Sequence, residues 1–394
     1  MSTTEVFFLS AARTAIGDFG GALKEVPPAA LGAHVAKAAI ARAGIDAADI
    51  QHAVVGNVIH TEARDMYVSR VVAMEAGVPK EAPALTVNRL CGSGLQAILT
   101  AAQMIKLGDG EMALAGGTES MSRGGYLLPA ARWGQRMGGA AAVDMMVGVL
   151  TDPFGHGHMG VTAENVSERY GVSREEQDTA AVESHHRAAR AIAAGHFKEQ
   201  IVPFEIATRK GIVLFETDEH VRGDASVADM AKLKAVFKKG GSVTAGNASG
   251  INDGAAAVVL ASGEAVTRKG LTPLARLVSW GLAGVDPSQM GMGPVPAVTV
   301  ALARAGLTVG DLDVIESNEA FAAQACAVGK ALDFDPGKVN PNGGAIALGH
   351  PVGATGAILA VKTIYELRRI GGRYGLVTMC IGGGQGIAMV IERV

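Results

Sequence analysis

The stretch Cys380–Gly386 reads CIGGGQG and lies close to the end of a 394-residue chain. A glycine run behind an apolar stretch suggests a phosphate loop. Such a loop needs a helix after it, because the helix N-terminus supplies the anion site. Here only IAMVIERV follows Gly386. That segment is β-like and too short for a strand–helix–strand continuation, and the glycine spacing lacks the dinucleotide fingerprint. A Rossmann dehydrogenase is thereby set aside. The glycines are expected at the end of a strand, where bare backbone N–H groups could face a developing oxyanion. Cys380 puts a thiol at the same point.

Outward from this stretch, short apolar runs alternate with amphipathic helical runs. The runs at 54–59, 84–87, 111–115, 255–260, 314–317 and 375–379 read as strands, the α/β signature. STTEVFFLSAARTAIG at the N-terminus reads as a first strand. GLQAILTAAQMIKLG places Leu95, Ile98, Leu99, Ala102 and Ile105 on one helical face and ends at Gly108, a plausible C-cap. PVGATGAILAVKTIYELRRIGG is expected to open its helix at Pro351, to carry Arg368 and Arg369 in the last turn and to stop at Gly371. These two segments read as a repeat. Each has a reactive residue (Cys91 or His350), a small-residue turn, a helix, a strand, and glycines at the strand end (Gly116–Gly117, Gly382–Gly384). Two similar α/β units packed face to face are expected, with chemistry at their junction. Residues of about 120–250 look different. MSRGGYLLPAARWGQRMGGAA is loop-like, and SREEQDTAAVESHHRAARAIAAG is a helix with a Ser173/Glu176 capping box. This is an inserted loop-and-helix subdomain, and long insertions tend to be functional.

The composition is that of a soluble globular protein, 48% hydrophobic and 19% charged, with net charge −3. No basic excess favours nucleic acid or an anionic membrane, and 4% aromatics leaves few stacking platforms. Three cysteines, Cys91, Cys326 and Cys380, argue for a reducing compartment rather than a disulfide scaffold. No signal peptide or long apolar span is recognisable, so a cytoplasmic location is expected.

Several residues could carry chemistry. In TVNRLCGSGLQAI a strand feeds a tight turn and a helix, placing Cys91 near a helix N-terminus, where dipole and free N–H groups are expected to lower its pKa. A buried filler is the alternative. His350, among small residues and ahead of Pro351, could deprotonate a thiol or merely cap a turn. Asn318 in ESNEAFAAQA could orient a water, donate to an oxyanion or cap a helix. His156 and His158 lack the further ligands a metal site needs, so no metal is expected. His185 and His186 read as a solvated pair, Cys326 as core filler, and FKKGGS at Phe237–Ser242 as an exposed turn. Two thiols and one histidine favour thioester chemistry, since acyl transfer from a thioester to a cysteine conserves the bond type. The second thiol then invites the role of a base toward carbon.

VNRLCGSGLQAI, HMGVTAENV, GNASGINDGAA, NEAFAAQA, GGAIALGHPVGATGA and CIGGGQG together resemble the motif set of the thiolases, the acetyl-CoA acyltransferases, in family order over nearly the whole chain. The likeness is to short bacterial-type biosynthetic acetyl-CoA acetyltransferases and β-ketothiolases. It implies a five-layer αβαβα duplicated fold. The expected divisions are an N-terminal half of residues 1–121 and 251–272, a CoA-binding insertion of 122–250, and a C-terminal half of 273–394. It implies that Cys91 takes the acyl group and that His350 activates it and helps hold an enolate oxygen with a water on Asn318. Cys380 would move the carbon-bound proton, and the N–H groups of Cys91 and Gly382 would form a second oxyanion hole. CoA is implied near Ser249 and His158, with Arg222 at the adenine end and Leu150, Met159, Phe237, Ala245 and Phe321 along the acyl and pantetheine channel. Acetyl-CoA, 3-ketoacyl-CoA and CoA are the implied substrates and products, with no metal or prosthetic group. A homotetramer is implied, with 122–143 in its contacts. A degradative 3-ketoacyl-CoA thiolase of broader chain length is the alternative. A carrier-protein ketosynthase or a non-catalytic CoA- or lipid-binding relative fits less well, because Cys91, His350 and Cys380 are all present.

Overall fold

A computed structural model of the chain describes residues 4–209 and 211–394. Ser2 and Thr3 of the expected first strand lie outside the described residues; that strand runs over Val6–Arg13. The repeat read from the sequence is present as one strand pattern used twice. In the first half, His52–Gly56 is parallel to Ala84–Val87 on one side and to Met112–Ser120 on the other. Met112–Ser120 then pairs antiparallel with Asn252–Ser262, and that strand antiparallel with Val6–Arg13. In the second half, Val314–Ser317 is parallel to Tyr374–Ile381, which pairs antiparallel with Gln385–Arg393, which pairs antiparallel with Ala275–Gly284. The second-half counterpart of Ala84–Val87 is reduced to a single bridge between Ile315 and Val339. The halves do more than face each other. Phe7 and Phe8 pair with Arg276 and Ala275, stitching the two sheets edge to edge.

Helices Ser93–Leu107 and Thr355–Ile370 pack on one another between the sheets. Pro28–Ala43 and Val68–Glu75 cover the outer face of the first sheet, and Pro294–Ala305 that of the second. The result is the five-layer αβαβα stack. Every residue of Met112–Ser120 and of Asn252–Ser262 is buried, as expected for strands covered on both faces. The two central helices meet through glycines. A Cβ on Gly94 would lie 2.8 Å from the Ala357 nitrogen, and one on Gly356 would lie 2.7 Å from Leu95 Cβ. This brings the helix N-termini together, and with them the turns that carry Cys91 and His350.

Details of the sequence reading change here. Gly116 and Gly117 lie inside Met112–Ser120, not at its end, and pack against the Ala256 and Gly353 carbonyls. The second central helix begins at Thr355, four residues after Pro351, because Pro351–Ala354 forms a turn of its own. Its stop at Gly371 and that of its partner at Gly108 are left-handed glycine caps. The Ser173/Glu176 capping box forms in both directions.

Between Met112–Ser120 and Asn252–Ser262 the chain makes one excursion. It contains helices Met159–Tyr170 and Arg174–Ala194 and a hairpin of Phe204–Thr208 with Gly211–Phe215. Its first part is exposed, with Trp133 at 86% and Met137 at 88% accessible. No helix of the described residues is long and apolar enough to cross a membrane.

Candidate active site

CIGGGQG forms the end of strand Tyr374–Ile381, a tight turn, and the start of strand Gln385–Arg393. Gly383 and Gly384 have φ of +80° and +81°, which only glycine adopts without strain. Cys380 pairs with Gly386 across this hairpin and is fully buried. Burial, and then Cys91 nearby, hold its thiol well above the ordinary range.

Cys91 sits on the turn between Ala84–Val87 and Ser93–Leu107. Leu90 before it has φ +45°, an uncommon conformation for a branched residue. Local bonds hold it there. Leu90 N–H donates to Asn88 Oδ1 at 3.0 Å, Ser93 Oγ donates to the Leu90 carbonyl at 2.7 Å, and Arg89 N–H donates to Ser93 Oγ at 2.8 Å. Backbone N–H groups of Gly382 and of Cys91 itself favour the thiolate as expected. Burial outweighs them and pushes the Cys91 pKa up to about 11, opposite to the expectation from the helix dipole. At rest both residues are thiols.

His350 is buried, which lowers its pKa to about 4 and leaves the ring neutral. Its Nδ1 lies 2.6 Å from Thr355 Oγ1, and that hydroxyl donates to the Pro351 carbonyl at 2.9 Å. With its one proton committed, Thr355 must accept from Nδ1–H. On the other side, Nε2 faces the Asn318 Nδ2 donor at 3.4 Å. Both neighbours select the tautomer with a free lone pair on Nε2. Asn318 does not cap a helix; the next one starts at Ala322 behind Phe321. Its Oδ1 is buried with no partner among the described residues, an acceptor suited to a water. The strand that ends just before Asn318 is tied to the segment leading to His350 by a buried pair, Lys362 to Glu316 at 2.6 Å, with Lys362 also donating to the Gly343 carbonyl at 2.7 Å.

Cys91, His350, Cys380 and Gly382 border one cavity of about 370 Å³. Leu150, His158, Met159, Phe237, Ala245, Ser249 and Phe321 border it as well. The insertion supplies most of that wall. His158 caps its helix, Nδ1 accepting from Gly160 N–H at 3.1 Å, and stacks on Phe237 at 4.7 Å between ring centroids. FKKGGS is therefore not a plain exposed turn: Phe237 faces the cavity, and Glu164 accepts the N–H groups of Ser242 and Val243. Ser249 N–H donates to the Ala320 carbonyl at 3.0 Å, joining the insertion to the Asn318 loop. Arg222 does not border the cavity; its backbone N–H donates to His185 Nδ1 at 3.1 Å. His185 is buried, with its pKa lowered to about 4, and His186 Nε2 lies 2.9 Å from the Ala225 carbonyl, so the two are not a solvated pair. Cys326 packs half-buried against the core of the second half, as expected, and also borders a separate groove. Among the described residues, no cluster of three or more His, Cys, Asp or Glu could hold a metal ion.

Sequence reasoning missed Thr355, Asn252 and Glu119. Asn252 Oδ1 accepts the His350 N–H at 2.9 Å. Glu119 accepts from Gly353 in the turn after His350. GINDG and GGTES gave no hint of this, because a polar residue near a strand end is exposed as often as buried.

Comparison with known proteins agrees with this arrangement. The family model for the thiolase N-terminal domain matches residues 6–264 and that for the C-terminal domain matches residues 271–393. The chain is 65% identical to β-ketothiolase BktB of Cupriavidus necator over 393 residues, covering 100% of both chains. It is 51% identical to an acetyl-CoA acetyltransferase of Syntrophomonas wolfei, covering 99% of each. The structure of human mitochondrial 3-ketoacyl-CoA thiolase in complex with CoA superposes with a TM-score of 0.96 at 44% identity, covering 100% of this chain and 98% of that one. Two matching halves, with cysteines and a histidine from both of them on one cavity, place the chain in the thiolase family.

Proposed function

We propose that the chain is an acyl-CoA:acetyl-CoA C-acyltransferase, condensing two acetyl-CoA, or acyl-CoA with acetyl-CoA, to a 3-ketoacyl-CoA and free CoA, reversibly. The observation that carries this is the meeting of two thiols, a neutral imidazole and the Gly382 N–H at one apolar cavity. The names of its relatives, acetyl-CoA acetyltransferase and β-ketothiolase, support the biosynthetic form over the degradative one.

The proton inventory suggests the sequence of steps. Cys91 starts as a thiol and His350 as a base at Nε2. Sγ of Cys91 attacks the thioester carbonyl as its proton passes to Nε2, and the oxyanion rests on the Cys91 and Gly382 N–H groups. The C–S bond to CoA breaks, and the departing CoA sulfur takes the proton from His350 Nε2. This leaves S-acyl-Cys91, a Cys380 thiol and a neutral imidazole. A second acetyl-CoA enters. Cys380 removes its methyl proton as its own thiol proton passes to His350 Nε2, and Nε2–H and a water on Asn318 hold the enolate oxygen. The enolate carbon attacks the acyl group, Cys91 leaves as thiolate, and it recovers its proton from His350. All three groups end as they began. Ser249 and His158 lie near the pantetheine in this reading, Leu150, Met159, Phe237, Ala245 and Phe321 line the acyl and pantetheine channel, and Arg222 lies beyond the cavity toward the adenine. A cytoplasmic homotetramer completes it, supported by the three free thiols and by the exposed apolar side chains of 122–143.

The test is thiolysis of 3-ketoacyl-CoA substrates of graded length, followed by loss of enolate absorbance. Cys380→Ser is expected to acquire label on Cys91 from radiolabelled acetyl-CoA yet to lose condensation. Absence of turnover on acetoacetyl-CoA by the parent enzyme sinks the assignment.

A further inference from the structure

Glu119 is the penultimate residue of strand Met112–Ser120, fully buried, with no cation among the influences on it. Oε1 accepts from Asn57 Nδ2 at 3.0 Å and Ile59 N–H at 3.1 Å. Oε2 accepts from Val58 N–H at 3.0 Å and Gly353 N–H at 2.9 Å. Burial pushes its pKa up to about 8. Yet all four partners are donors, and a carboxyl proton would have no acceptor, so the geometry fits the anion.

The four donors come from both halves. Asn57, Val58 and Ile59 follow strand His52–Gly56, and Asn57 N–H bonds to the carbonyl of Val87 at 3.2 Å, on the strand that runs into Cys91. Gly353 belongs to the turn that follows His350. Glu119 is thus a buried joint between the segment presenting the nucleophile and the segment presenting the base. Its charge also disfavours the thiolate of Cys91. The other titratable groups on the cavity that Cys91 borders are His158, His350 and Cys380, and Asp65 is the neighbouring carboxylate that acts on Glu119.

We propose that Glu119, as an anion, is a positioning residue for the reaction, locking the turn that carries His350 to the chain that carries Cys91. This rests on the acyl-transfer reading above. Glu119→Gln turns one oxygen into a donor facing donors, and Glu119→Asp keeps the charge with a shorter reach. Three quantities are measured: kcat and KM for acetoacetyl-CoA thiolysis, the thermal midpoint, and the pH midpoint of Cys91 alkylation by iodoacetamide, read by peptide mass. For Glu119→Gln, kcat is expected to fall about 10- to 100-fold with KM changed less than about threefold. The alkylation midpoint is expected to move to lower pH in Glu119→Gln and to stay put in Glu119→Asp. A kcat within about twofold of the parent, or a lower kcat with an unmoved alkylation midpoint in Glu119→Gln, overturns the proposal. If Glu119→Gln does not fold, Asn57→Ala removes one donor and leaves the carboxylate. A fall in kcat of at least about threefold at constant KM then supports the proposal, and an unchanged kcat overturns it. Alkylation needs no turnover, so a parent without thiolase activity would overturn the acyl-transfer reading while the pH shift still decides on the charge.

Discussion

Replacing Thr355 by valine tests how the base is held. Thr355 is buried and nearly isosteric with valine, so packing is preserved. The change removes only the hydroxyl that accepts from His350 Nδ1 at 2.6 Å. A buried N–H left without an acceptor costs about 1–3 kcal/mol. The ring can escape by moving its proton to Nε2, but there it meets the Asn318 amide donor at 3.4 Å and loses the lone pair that takes the Cys91 proton in the proposed reaction. Either way the productive tautomer is disfavoured by that energy, a factor of about 5 to 150 in kcat. Thr355 does not border the cavity, so KM should hold. Steady-state thiolysis of acetoacetyl-CoA gives kcat and KM, and nitrogen-15 shifts of His350 report which ring nitrogen carries the proton. Thr355→Ser keeps the hydroxyl and should recover most of the rate. A valine variant with parental kcat, or a serine variant as slow as valine, refutes the tautomer argument.

Two further outcomes follow from the packing and the titrating groups. Gly356→Ala puts a methyl 2.7 Å from Leu95 Cβ where the central helices cross; overpacking of this kind costs about 1–3 kcal/mol. Its thermal midpoint should drop and its kcat with it, and parental values for both would show that the helices have room to part. His185 is held near 4 in the fold against about 6.5 in the unfolded chain. The unfolded state therefore takes up a proton first as pH falls. Stability from this residue is complete above about 6.5 and declines toward pH 4, by up to about 3 kcal/mol. Urea unfolding at pH 7 and pH 5 should show a smaller loss for His185→Gln than for the parent, and equal losses would remove His185 as the cause.

The sequence carried the architecture well where local chemistry is unambiguous. CIGGGQG could be read as a strand end because nothing helical follows it, and the two central helices were bounded by their glycine caps. Cys91 and His350 could be placed ahead of helices, and Asn318 and Cys380 at strand ends, for the same reason. Burial could not be read from these motifs. The helix-terminus argument gave the wrong sign for Cys91, since N–H groups do favour its thiolate but removal from water counts for more. His185 and His186 looked solvated on a polar helix, yet the chain around Arg222 and Ala225 covers them. Glu119, Asn252 and Thr355 bond to the turn around His350 through partners far away in sequence, or through a proton assignment that no motif encodes.

The place of Asn252–Ser262 in the first sheet has a consequence for biosynthesis. This strand fills the gap between Val6–Arg13 and Met112–Ser120, so neither neighbour has its final partner until the whole excursion has been made. At ribosomal rates of about 5–20 residues per second, the nascent chain waits on the order of ten seconds with two apolar strand edges open. Long-range pairing of this kind is slow to nucleate and prone to wrong partners. Newly made chains are thus most exposed to aggregation during synthesis of the segment that later walls the cavity.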